Sequence, residues 1–129
     1  VIVPNYIGTL FMIALVMHGM GHSMGLLESW QLAKLRQGAD YRGVLGRIGA
    51  NDVTVKAVGA LFVIALMAYL AAAYGMWQGL TFWRPMTVGA SLLSLALFGL
   101  WWNTIPTFNE ISAVGFDFVA VAAVWIGMV

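Results

Sequence analysis

The sequence predicts an all-α fold, an integral membrane bundle of four helices, and three observations predict it. Of its 129 residues, 62% are hydrophobic and only 9% are charged, whereas a soluble domain carries about 25% charged residues. Mean hydropathy is +0.91. Four apolar runs each approach the length of about 20 residues that a helix needs to cross a hydrocarbon core, and none alternates as a barrel strand does.

The runs cover residues 6–27, 53–77, 85–102 and 111–128, within one transmembrane domain of residues 1–129. The first lacks a basic flank and a small-residue cleavage site and exceeds a signal-peptide core, so it is expected to be a retained span. Asn51 and Asp52 can cap the second helix, and Pro85 suits the first turn of the third. Asn103, Pro106 and Asn109 mark the turn before the fourth. Tyr6, Trp30, Tyr74, Trp77, Trp83, Trp101 and Trp102 fall near span ends, where amphipathic rings favour the lipid headgroup level.

The loop of residues 28–52 carries Lys34, Arg36, Arg42 and Arg47, while the other two turns hold one basic residue, Arg84. The positive-inside rule therefore places the long loop in the cytoplasm and both termini on the opposite side, in a bacterial cytoplasmic membrane. Its first part, ESWQLAKLRQ, either extends the first helix or lies along the surface, with Lys34 and Arg36 meeting anionic headgroups. A partner-binding loop is the rival reading. A net charge of +1 gives no polycation for nucleic acid, and the absence of Cys excludes disulfides, thiolate metal sites and cysteine-linked haem.

The stretch HGMGH holds both histidines of the chain, His18 and His22, inside the first apolar run. On a helix they stand about 40° apart, and Gly21 and Gly25 share their stripe, a GxxxG spacing that allows close helix packing. Asp117 is the strongest partner, because it and His22 both lie about 10 Å in from the loop side of the membrane. The first and fourth spans are therefore expected to be neighbours, with Asp117 hydrogen-bonded to His22 or His18.

The plainest use of the pair is packing, through hydrogen bonds to Asp117, Ser91, Ser94, Asn103 or backbone carbonyls. An i, i+4 pair also suits a metal ion, with Asp117 as third ligand or as a partner fixing a His tautomer. Gly19 stands where an HExxH protease would need its Glu. One histidine could ligate a haem or chlorophyll. Finally, His18, His22 and Asp117 could relay protons, although Thr9, Tyr69, Thr87, Ser91 and Ser94 make a thin path through the other half.

The segments LVMHGMGHSMGLLESW and WWNTIPTFNEISAVGFDFVAVAAVWIG resemble the first and last spans of small uncharacterised bacterial four-span proteins, broadly DoxX-like. That resemblance implies a four-helix membrane bundle and carries no activity. The expected function is non-enzymatic: an accessory or scaffolding subunit of a respiratory or photosynthetic complex, contacting the lipid bilayer and other membrane subunits, with a metal or tetrapyrrole as potential occupant of His18 and His22. The alternatives are a self-standing metal- or haem-binding redox protein and a proton-coupled transporter.

Overall fold

A computed structural model describes residues 5–129, and its regular structure is entirely helical among them. The helices are α1 Tyr6–Gly21, α2 Ser23–Ser29, α3 Gly43–Arg47, α4 Asp52–Gly59, α5 Leu61–Gln78, α6 Trp83–Leu100 and α7 Thr107–Trp125. Helices α1 and α2 form one rod interrupted at His22, and α4 and α5 form another interrupted at Ala60. The four long helical stretches overlap the four apolar runs of the sequence.

Local chemistry sets the ends. Asn5 Oδ1 accepts the Gly8 N–H at 2.7 Å, and Asn51 Oδ1 accepts the Thr54 N–H at 2.8 Å, so both rods begin at a side-chain cap. Pro85 lies in the first turn of α6, where a missing N–H leaves no helical bond unmade. Gly79 ends α5 at a φ of 68°, a left-handed conformation that glycine takes without steric cost.

Each long helix buries one face at helical spacing. In α5 this face is Phe62, Ala65, Tyr69, Ala72, Ala73 and Met76; in α7 it is Glu110, Ala113, Asp117, Ala120 and Ala123. The alanines keep the interface thin, so helices approach closely and polar groups from different helices come within reach. Helix α5 packs chiefly against α1 and α6, and α6 against α7, while α1 and α7 touch at few positions.

Among the described residues three helical stretches, Tyr6–Ser29, Asp52–Gln78 and Thr107–Trp125, are long and apolar enough to cross a membrane. Helix α6 is not one of them, although the sequence reading counted it as an equal span. Its hydropathy is diluted by Arg84, Thr87, Ser91 and Ser94, and the last three are fully buried against the other helices.

The loop between the first two rods folds back onto the end of the bundle. The chain turns at Gln31, with φ 56°, so ESWQLAKLRQ extends the first rod by Glu28 and Ser29 alone, and its remainder forms no surface helix. Buried Glu28 accepts the Leu35 N–H at 2.9 Å, and Trp101 Nε1–H donates to the Tyr41 carbonyl at 2.8 Å. Gly43, at φ 57°, passes so close to the Leu100 carbonyl that a Cβ there would stand 2.4 Å from its oxygen. Trp101 and Trp83 are thus core residues, whereas Tyr6, Trp30, Tyr74, Trp77 and Trp102 are exposed as anchors would be.

Candidate functional site, a buried polar cluster

Four helices deliver one polar side chain or more each to a common centre. Rod α1/α2 brings His18 and His22, α5 brings Tyr69, α6 brings Ser91 and Ser94, and α7 brings Asp117. All but His18 are fully buried. Gly19 makes the approach possible: a Cβ on it would stand 2.9 Å from Tyr69 Cβ, so its absence lets α1 settle onto α5.

Asp117 is the hub. Its Oδ1 accepts His18 Nε2–H at 2.9 Å and the Tyr69 hydroxyl, and its Oδ2 lies 2.5 Å from Ser94 Oγ. Ser91 hands its hydroxyl hydrogen to the Tyr69 oxygen at 3.0 Å. His22 Nδ1–H donates to the His18 carbonyl at 3.0 Å, and its Nε2 meets Ser94 Oγ at 2.8 Å. Aromatic rings enclose the imidazoles: Phe116 stands 4.4 Å from the His18 ring, and Phe98 5.5 Å from that of His22.

Counting hydrogens narrows the cluster to two arrangements. A carbonyl cannot donate, so His22 Nδ1 carries hydrogen, and the single Ser94 hydrogen cannot fill both the Nε2 and the Oδ2 contact. The second hydrogen sits either on His22 Nε2 or on Asp117 Oδ2, with Ser94 turning to suit. Both arrangements are neutral overall, which burial favours over a net charge. The trio can therefore pass one proton between His22 and Asp117 through a serine hydroxyl.

The expected pairing of Asp117 with the first span is met at His18, and His22 reaches the same carboxylate through Ser94. Among the described residues no group of three or more His, Cys, Asp or Glu is placed to hold a metal ion. Both His22 nitrogens and His18 Nε2 are taken up by the protein itself. Of the glycine pair, Gly25 is tight, since a Cβ there would stand 2.4 Å from the Phe62 ring, whereas one on Gly21 would meet nothing within 4 Å.

Sequence reasoning gave Tyr69, Ser91 and Ser94 minor roles. The signal was present in the spacing of Thr87, Ser91 and Ser94, which recur on one face of α6. Thr87 returns its hydroxyl to the Trp83 carbonyl at 2.9 Å, the ordinary fate of such residues, but Ser91 and Ser94 bond across to other helices. Of the loop cations, Arg42 pairs with Asp40 at 3.1 Å and holds that carboxyl below its ordinary range. Arg36 reaches the Asn103 carbonyl at 3.3 Å, and Lys34 and Arg47 are exposed.

Compared with known proteins, the chain matches no family model, no curated sequence and no solved structure. Its chemistry is therefore read from these side chains alone.

Proposed function

We propose that the chain is a four-span membrane protein acting as a non-enzymatic accessory or scaffolding subunit, with the His–Ser–Tyr–Asp cluster as the polar seam that fixes its helices in register. One observation carries this reading: Asp117, fully buried, has both oxygens engaged by side chains from the three other long helical rods. A bare carboxylate at mid-span costs about 2.5–3.5 kcal/mol on insertion scales, and these bonds offset that cost only in one arrangement of helices. Specificity of packing is what such a seam supplies.

The same logic makes α6 the fourth span. Its 18 residues reach about 27 Å at 1.5 Å per residue, and its buried hydroxyls face the seam instead of lipid. With the polar groups turned inward, the outer faces present residues such as Ile13, Met17, Ile64, Met67, Leu92 and Phe118, suited to lipid or to helices of other subunits. The loop of residues 30–51 then lies on the cytoplasmic side of a bacterial inner membrane, its exposed Lys34 and Arg47 toward anionic headgroups.

Because the chain has no native Cys, single cysteines report topology cleanly. Gln37→Cys should be labelled from the cytoplasmic side and Gly127→Cys from the opposite side; labelling of both from one side would refute four crossings. Purification in a mild detergent should bring stoichiometric membrane partners with the chain. A chain that runs alone from its native membrane would refute the subunit reading.

A further inference from the structure

We propose that the groove between α1 and α7 binds a phenolic lipid: one aromatic ring bearing a hydroxyl and an apolar tail. The proposal rests on the membrane reading above, since it needs the groove to open sideways into lipid.

A cavity of about 360 Å3 lies where α1 and α7 diverge, lined among others by His18, Gly21, Met24, Phe98, Phe108 and Phe116. Among the described residues that line it, His18 is the one ionisable side chain. The His18 side chain is nine-tenths buried, at 10% relative exposure. Its Nε2 is committed to Asp117, and its Nδ1 has no hydrogen-bond partner among the described residues. Among those residues the sealed, unpartnered side-chain atom is Glu110 Oε2. Nδ1 is therefore reachable from open space, and the open space that His18 lines is this groove.

The hydrogen count decides what Nδ1 recognises. Nε2 carries the hydrogen given to Asp117, so in a neutral ring Nδ1 presents a lone pair. It accepts a bond from a ligand O–H and offers nothing to an ether or a carbonyl. Depth decides the charge. His18 lies near the middle of the 24-residue stretch Tyr6–Ser29, where an ionic headgroup would be expensive to bring. A neutral hydroxyl remains.

The walls decide the body of the ligand. Three phenylalanine rings and the Met24 thioether offer faces, edges and a soft sulfur to an aromatic ring. The volume stands near the lower end of the range of about 300–1,000 Å3 typical of ligand sites, enough for one ring head with its tail outside. Gly21 leaves the cavity open, since a Cβ there would meet nothing within 4 Å. Exposed Met17 and Phe108 form the rim over which a tail would pass into lipid.

The test uses the full chain in lipid nanodiscs, titrated calorimetrically with para-octylphenol, its methyl ether para-octylanisole, and octylbenzene. The phenol should bind saturably, one per chain, and at least tenfold more tightly than either analogue, because only it can donate to Nδ1. Gly21→Leu should weaken phenol binding at least tenfold without lowering the melting temperature. Equal affinity for the three probes, absence of saturable phenol binding, or undiminished phenol binding by a folded Gly21→Leu chain would overturn the proposal. The two readings fail separately: a chain washed out of membranes by alkaline carbonate refutes the membrane assignment, whereas a retained chain that treats phenol and anisole alike refutes the groove.

Discussion

His18 and Asp117, 99 positions apart in the chain, are joined by a hydrogen bond of 2.9 Å. The bond spans the side of the bundle where α1 and α7 otherwise touch at few positions. It ties the first rod to the last, and it shares its carboxylate with Tyr69 and Ser94.

Asp117→Ala should therefore do more harm than the loss of one contact, because it leaves the His18 and Tyr69 donors facing a void. Breaking a buried hydrogen-bonded pair from one side costs about 3–5 kcal/mol, and that is the expected loss on unfolding in detergent. Asp117→Asn should cost about 1 kcal/mol or less. Its oxygen can accept from His18 and Tyr69 while its amide donates to Ser94, which then donates to His22. Equal losses for the two variants would refute the hydrogen count.

The two glycines of GMGHSMG's stripe should respond in opposite senses. Gly25→Ala forces the buried Phe62 ring away from a contact of 2.4 Å, and overpacking of this kind costs about 1–3 kcal/mol. Gly21→Ala adds a methyl to open space and should be neutral or stabilising by up to about 1 kcal/mol, the difference in helix propensity. Melting temperatures of the two variants decide it.

Tyr69→Phe removes one bond to Asp117 and one to Ser91. A loss of about 1–3 kcal/mol is expected, in the range of bonds to a charged or polar buried partner. Combined with Ser91→Ala, it should show a coupling above about 0.5 kcal/mol in a double-mutant cycle, as groups in one network do. Strict additivity would mean that the two hydroxyls act independently.

Glu110 gives a prediction of the other sign. It is fully buried, its Oε1 accepts the Ile105 N–H at 3.3 Å, and its Oε2 has no partner among the described residues. Glu110→Gln keeps the shape and the acceptor while removing an ionisable oxygen whose burial is uncompensated. Stability should match or exceed that of the native chain in denaturant titration; a loss above about 1 kcal/mol would show that Oε2 has a partner of its own.

The parts legible in the sequence are those that depend on distance along a helix. Run lengths gave the rods, Asn5 apart, with caps such as Asn51 where expected, and equal depth brought Asp117 to the histidines. What stayed hidden depends on direction around the helix and on neighbours. Ser94 and Thr87 are alike in a sequence, yet one bonds across to Asp117 and the other back to its own turn, because only Ser94 points at a carboxylate. Trp101 sits at a span end like Trp102, but the loop folding over it through Tyr41 makes it core. Gly19, the glycine that lets α1 meet Tyr69, lies outside the GxxxG pair that drew attention first.

The most direct test of the seam is native mass spectrometry of the chain released gently from its own membrane. The polypeptide, with its partner subunits, should carry no metal ion and no tetrapyrrole, because three of the four imidazole nitrogens are spent on protein partners. A mass excess matching a metal, haem or chlorophyll, lost in His18→Gln or His22→Gln, would contradict the account and make HGMGH a ligand site.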